Sequence, residues 1–135
     1  MSEKTEDLLK LAEELSEDLK TKLWTKLYEN KILEAVEKAT KIKIKEAAVM
    51  RELVIGQWRP DILILTKNQA ATIEITSSTT VSVKPFLGLI ECANTIKQKL
   101  DIKKVYLILV CPKTTKMSPK AIKIAKEHNI TIARI

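Results

Sequence analysis

The chain has 135 residues, 45% hydrophobic and 30% charged, with a formal net charge of +7. That length fits one domain with a real core, and the composition excludes a wholly disordered chain. No apolar run reaches the ~18 residues that a membrane helix needs, and the acidic, polar start MSEKTEDLLK is not a secretory signal, so a cytoplasmic location is expected.

The two cysteines, Cys92 and Cys111, form no CxxC pair, and reduced thiols are expected rather than a disulfide scaffold. His128 is the single histidine, so neither an ordinary zinc site nor a histidine-driven nucleophile is available. Any metal must be held by carboxylates, which favours magnesium or manganese. The charge is unevenly spread. Residues 1–50 hold 10 Lys against 11 acids, whereas residues 51–135 hold 14 Lys and Arg against 6 acids. A basic half of this kind is the footprint of a polyanion partner. A Lys-, Glu- and Ile-rich surface is also the pattern of thermophile proteins, which favour ion-pair networks.

Residues 1–40 read as helix, because Leu8, Ala12, Leu15, Leu19, Leu23 and Leu27 recur at spacings of three and four. Asn30 offers a break between two shorter helices. A helix this long leaves part of its length for a partner, and a short coiled coil with dimerisation is expected. Domain boundaries follow at 1–40 for this segment and 41–135 for the rest. Trp24 and Tyr28, one turn apart, read as packing residues. The alternating Lys41 to Lys45 fits a strand or a helix extension. A strand is expected over 48–55, ended by Gly56 and Pro60. Asp61 to Leu65 reads as a strand, Lys67 to Ala70 as a tight turn and Ala71 to Thr76 as the returning strand. Ser77 to Ser82 is a polar loop. A helix begins at Pro85 and buries Phe86, Leu89, Ile90, Ala93, Ile96 and Leu100. Val105 to Val110 is a strand buried on both faces. A basic loop runs to Met117. Ser118-Pro119 caps a helix that ends at His128-Asn129, and Ile130 to Ile135 is a last strand. The class is α/β with a mixed central sheet, and its later strand–helix–strand unit should be a right-handed parallel crossover.

Centring the hairpin on Asn68 and Gln69 puts Asp61, Leu63, Leu65, Thr72, Glu74 and Thr76 on one face. Ile62, Ile64, Ile73 and Ile75 take the other. Asp61 and Glu74 are then diagonal neighbours within reach of one ion. Two carboxylates in apolar strands raise each other's pKa, and a divalent cation resolves the cost. The competing reading pairs Glu74 with a nearby Lys or with Arg59, or leaves the strand at an exposed edge.

Arg59-Pro60-Asp61, followed by Ile73-Glu74-Ile75-Thr76, resembles the PD-(D/E)XK nuclease superfamily. The similarity is nearest to archaeal members such as Holliday-junction resolvases and small nuclease-like proteins. It covers residues 45–135, including Ser77-Ser78, the helix from Pro85 and the later strand, helix and strand. The resemblance implies a restriction-endonuclease-like αβββαβ core with an extra C-terminal helix and strand and a long N-terminal helix. It implies magnesium or manganese held by Asp61, Glu74 and the carbonyl of Ile75, with water attacking a phosphodiester. The motif lysine would stabilise charge on the phosphate, but that position holds Thr76. Lys84 is the candidate to supply the cation instead. Family members also carry an acid on the first helix, for which Glu29, Glu34 and Glu37 are candidates. Arg59, Lys113, Lys116 and Lys120 are candidate nucleic-acid contacts, and Trp58 is a candidate base-stacking residue. Two readings stay open: a metal-dependent nuclease acting on DNA, or a catalytically silent nuclease-fold protein that binds nucleic acid or assembles through its N-terminal helix. A two-fold homodimer is the expected oligomer.

Overall fold

The computed structural model describes residues 8–9 and 17–135. Helix α1 spans Glu17–Thr40. Three strands follow, β1 at Ala48–Arg51, β2 at Ile62–Leu65 and β3 at Gln69–Ile75. A short strand β4, Thr80–Val81, precedes helix α2 at Lys84–Leu100. Strand β5 at Lys104–Cys111, a short strand β6 at Lys116–Met117, helix α3 at Pro119–Glu127 and strand β7 at Thr131–Arg134 complete the chain. The five longer strands form one sheet in the order β1-β2-β3-β5-β7. β1, β2 and β3 run antiparallel to one another, while β3, β5 and β7 are parallel. This is the mixed α/β architecture expected.

The two faces of the sheet separate by residue parity. Ile62, Ile64, Ile73 and Ile75 pack with Ile32 and Val36 of α1. Leu63, Ala70 and Val105 pack with Cys92, Ala93 and Ile96 of α2. Leu109, Phe86, Leu89, Ala121 and Ala125 join α2 to α3. The sheet therefore lies between α1 on one side and α2 with α3 on the other. Ile32 and Val36 are fully buried, so the second half of α1 is part of the domain core. Ala12 and Leu15 lie outside the described residues. Trp24 and Tyr28 stack at 5.3 Å between ring centroids and pack against that core.

Several boundaries differ from the sequence expectation. The backbone of α1 leaves helical geometry at Tyr28, with φ −112° and ψ 16°, two residues before Asn30. β1 stops at Arg51 because Glu52 adopts a left-handed φ of 52°, which ends an extended run; Leu53 and Val54 are exposed. Residues 44–46 form a single 3₁₀ turn, neither a strand nor a continuation of α1. The hairpin turn is centred on Lys67 and Asn68: Thr66 N–H donates to the Gln69 carbonyl at 2.9 Å, and Gln69 N–H donates to Thr66 Oγ1 at 3.1 Å. The register pairs Ile62 with Ile73 and Leu65 with Ala70. This is a shift of two residues from the expected pairing. A shift of two preserves the face of every side chain, whereas a shift of one would have exchanged them.

The segments read as loops contain a second, two-stranded parallel ribbon, β4 with β6. Runs of two residues carry no periodic signal, which is why the sequence conceals them. Thr115 Oγ1 donates to the Ser78 carbonyl at 2.8 Å and ties the ribbon to the loop after β3. Ser118 caps α3 by accepting from Ala121 N–H at 3.1 Å, as its position before Pro119 implies. Leu100 is 41% exposed and Ile90 half-buried, so α2 buries less of its predicted stripe there and uses Cys92 instead. Both cysteines are buried and free, and burial pushes both thiols up, as expected of inert core cysteines. Among the described residues, no helix is long and apolar enough to cross a membrane.

Phe86 anchors the N-terminal turn of α2 and is fully buried. Phe86→Ala is expected to cost about 3–5 kcal/mol, read as a lower urea midpoint with an unchanged slope. A loss below about 1 kcal/mol would show that this turn is not held by the core.

Candidate active site

Asp61 and Glu74 meet where the antiparallel hairpin joins the parallel part of the sheet. Continuing the β2–β3 register by one residue sets Asp61 opposite Glu74, closer than the diagonal placement expected from sequence. The main chain fixes the Asp61 carboxylate: its Oδ2 accepts from Ile75 N–H at 2.7 Å. The carbonyl of Asp61 accepts from Glu52 N–H at 3.2 Å, which ties the end of β1 to the same corner. Glu74 has the same strand parity as Thr72, whose hydroxyl donates to Cys92 Sγ of α2 at 3.4 Å. Its carboxyl therefore leaves the sheet on the α2 side. Burial, and after it the charge of Asp61, pushes that carboxyl up from 4.5 to about 8.

Glu74 separates two hollows. The first is a cleft of about 570 Å³ lined by Asp61, Glu74, Ile75 and Thr76 and, from α1, by Thr21, Lys22 and Thr25. The second is a cavity of about 440 Å³ that Glu74 shares with Trp58, Arg59, Lys84 and the first turns of α2. The structure thus brings Asp61, Glu74, Ile75 and Thr76 together. It puts Lys84 and Arg59, both exposed, on the other side of Glu74. Lys113, Lys116 and Lys120 are exposed and line neither hollow.

Thr76 holds its own loop. Its Oγ1 accepts from Ser78 N–H at 3.1 Å, and its N–H donates to the Val110 carbonyl at 3.0 Å. From the other side, α1 grips the same loop. Thr21 Oγ1 lies 3.0 Å from Ser77 Oγ and accepts from Ser77 N–H at 3.3 Å. That contact brings Lys22 to the cleft wall, a residue the sequence reading missed. The only trace was Thr21 and Thr25, one turn apart on one helix side, which hydrophobic periodicity does not record.

None of the helix acids proposed from sequence lines the cleft. Glu29 forms an ion pair with Arg51, which itself lines the cleft. Glu37 accepts from Ile44 N–H at 3.1 Å, and Glu34 lies beside it in a hollow with Lys38, Lys41, Lys43 and Lys45. The helix turns these acids toward the 41–46 segment because Ile32 and Val36 take the sheet-facing positions. Among the described residues, no group of three or more His, Cys, Asp or Glu side chains is arranged to hold a metal. The cleft offers the paired carboxyl groups of Asp61 and Glu74, with Glu52 elsewhere on its wall. That suits a hard cation that keeps several waters, as magnesium does, and excludes a fully protein-ligated zinc site.

The fold is similar to that in a crystal structure of a repair endonuclease from Pyrococcus abyssi. The TM-score is 0.56 at 14% identity, over 79% of this chain and 46% of that one. A second similar structure is that of Pyrococcus furiosus SfsA in complex with Ca2+, with a TM-score of 0.45 at 19% identity, over 85% of this chain and 55% of that one. The present chain thus spans about half the length of either protein. No protein-family model matches the sequence, and no curated protein matches it. The likeness to the endonuclease establishes the fold: a restriction-endonuclease-like α/β core with a five-stranded mixed sheet, a long N-terminal helix and a C-terminal helix and strand.

Proposed function

We propose that this chain binds nucleic acid, DNA in the first instance, and hydrolyses its phosphodiesters with magnesium or manganese at Asp61 and Glu74. One observation carries the reading: two half-buried carboxyl groups from neighbouring strand ends line a single cleft, and the charge of one pushes up the pKa of the other. The resemblance around Pro60-Asp61 and Glu74 and the shared fold support it. In this reading Asp61, Glu74 and the Ile75 carbonyl would hold the cation. When bound, such a cation lowers the pKa of a coordinated water and neutralises charge on the phosphate. The chain's own residues do the rest. Asp61 is oriented by Ile75 N–H, so its carboxylate needs no rearrangement to act as a ligand. Lys22 on the cleft wall and Lys84 across Glu74 supply positive charge on either side of the phosphate. Arg59, Lys113, Lys116 and Lys120 extend a basic surface for flanking phosphates. A two-fold dimer through the N-terminal helix belongs to the same reading.

A second reading is favoured by one observation, the neutral Thr76 whose hydroxyl serves the Ser78 turn. It makes the chain a binding or assembly module without hydrolysis. Incubation with duplex, branched and single-stranded DNA in magnesium or manganese separates the two. Under the first, cleavage occurs and Asp61→Ala lowers it at least a hundredfold while salt-sensitive binding persists. Binding without cleavage in either metal selects the second, and failure to bind any nucleic acid overturns both.

The proton on Glu74 gives an independent check. Between pH 4.5 and about 8 the folded chain keeps a proton that the unfolded chain has lost. Stability therefore falls as pH rises through that window and levels above it. Glu74→Gln removes this slope, and above pH 8 the variant is expected to exceed the parent by roughly 1–3 kcal/mol. Urea midpoints at several pH values measure this; a difference independent of pH would falsify the burial argument. Magnesium affinity of the parent chain should rise over the same window, because the cation competes with the proton.

A further inference from the structure

The cavity on the far side of Glu74 does not include Asp61, and its walls are distinctively built. One wall is Trp58. Its backbone is clamped in a tight turn, with Ile55 N–H donating to the Trp58 carbonyl at 2.7 Å and Trp58 N–H donating to the Ile55 carbonyl at 2.9 Å. Gly56 makes that turn at φ +61° and sits so close to α2 that an added Cβ would lie 3.3 Å from Thr95 Cγ2. The turn thus rests on the helix, and Trp58 is held on a rigid support. The indole is half-buried: it packs against the core around Ile55, Leu63 and Cys92 and also lines the cavity.

The opposite wall is α2, and here the helix carries a glycine in its interior. Gly88 costs about 0.5–1 kcal/mol relative to alanine at such a position. An added Cβ would meet only Trp58, at 3.9 Å, so no backbone constraint demands glycine there. What the glycine keeps is open space beside the indole. The floor, Thr72 and Cys92, is fully buried, and each satisfies the other. Arg59 and Lys84 line the same cavity as exposed cations. An aromatic wall, an open volume within the ~300–1,000 Å³ of ligand sites and two cations describe one ligand chemistry: a nucleobase carried between two phosphates. Glu74 and Glu91 also line the cavity and can meet a base edge, but the broad contact is the indole face, so recognition rests mainly on stacking and is largely tolerant of sequence.

We infer that this cavity receives one unpaired base of the bound strand, stacked on Trp58, with Arg59 and Lys84 on the adjoining phosphates. The inference rests on the nucleic-acid reading above and deepens it. A base held in a duplex cannot enter, so the substrate class is single-stranded nucleic acid or a duplex end, flap or branch that offers an unpaired nucleotide.

The test uses oligonucleotides carrying 2-aminopurine, with the full chain in EDTA, so that binding is read without hydrolysis. The expected result is tighter binding of single strands than of blunt duplex, with quenching of the fluorescent base. Trp58→Ala is expected to weaken single-strand binding roughly five- to a hundredfold and to abolish the quench, and Trp58→Phe to retain most of both. Gly88→Leu fills the cavity from the helix side and strengthens helix propensity, its side chain covering the indole face that the base would use. It should produce the same loss, with thermal melting confirming that the variant is folded. Equal affinity for duplex and single strand, or a folded Gly88→Leu variant that binds and quenches like the parent, overturns the base-binding role and leaves the nuclease reading standing. No binding to any strand overturns both. Cleavage of duplex by a chain that fails the quenching test separates the two in the other direction.

Discussion

A half-buried carboxyl set directly against another carboxylate is the constraint around which this chain is arranged. Glu74 occupies the central strand of the sheet, between the buried Ile73 and Ile75. The sheet could dispose of such a residue in two ways, by pairing it with a cation or by leaving it protonated. Among the described residues no cation pairs with it: the causes acting on Glu74 are burial and the charge of Asp61, and both raise its pKa. A lysine at position 76 would lie on the same strand face, two residues away, and would hold Glu74 ionised. Thr76 does not. The chain therefore keeps a site whose charge is incomplete, which is tolerable only because the surrounding core is well packed and Asp61 is fixed by the main chain.

That fixation depends on the order of strands. β3 is hydrogen-bonded on one side to antiparallel β2 and on the other to parallel β5, so its end cannot shift without breaking both ladders. The loop that leaves it is held from two directions, by Thr21 of α1 and by Thr115 of the small ribbon. Arg134 supports the ribbon in turn by donating to the Thr115 carbonyl at 2.5 Å. The N-terminal helix and the last strand, remote in sequence, thus converge on the wall of one cleft. The first half of α1 is consequently part of the site's construction as well as a candidate surface for a partner.

The parts of this arrangement legible in the sequence were those set by parity. The alternation of Ile62, Ile64, Ile73 and Ile75 against Leu63, Thr72 and Glu74 assigned each side chain to its layer, and the structure keeps that assignment despite a register shifted by two. The exact pairing was not legible, because Thr66 can close the turn with its hydroxyl as well as its backbone, and neither bond leaves a hydrophobic trace. The ribbon of β4 and β6 was hidden by its length. Glu29, Glu34 and Glu37 were indistinguishable in sequence because helix periodicity gives a face but no azimuth. The packing of Ile32 and Val36 sets the rotation that turns Glu34 and Glu37 toward the 41–46 segment, while the Thr21–Ser77 contact brings Lys22 in.

The same geometry explains where the basic excess is effective. A cation close to Glu74 would quench the site by pairing with it, so positive charge useful to a polyanion must stand off at the rim. Arg51, which lines the cleft, is occupied by Glu29, and Thr76 contributes none. Lys22, Lys84 and Arg59 remain around the two hollows, with Lys113, Lys116 and Lys120 farther out. These cations are exposed, whereas Asp61 and Glu74 are half-buried. In the proposed reading, long-range attraction from these lysines would draw in a phosphate backbone, and a cation would offset the charge of the half-buried carboxylates. A neutral Thr76 fits a division of labour under that proposal, in which the outer cations would bind the polyanion and the carboxylate pair would mark the point where charge must be brought from outside.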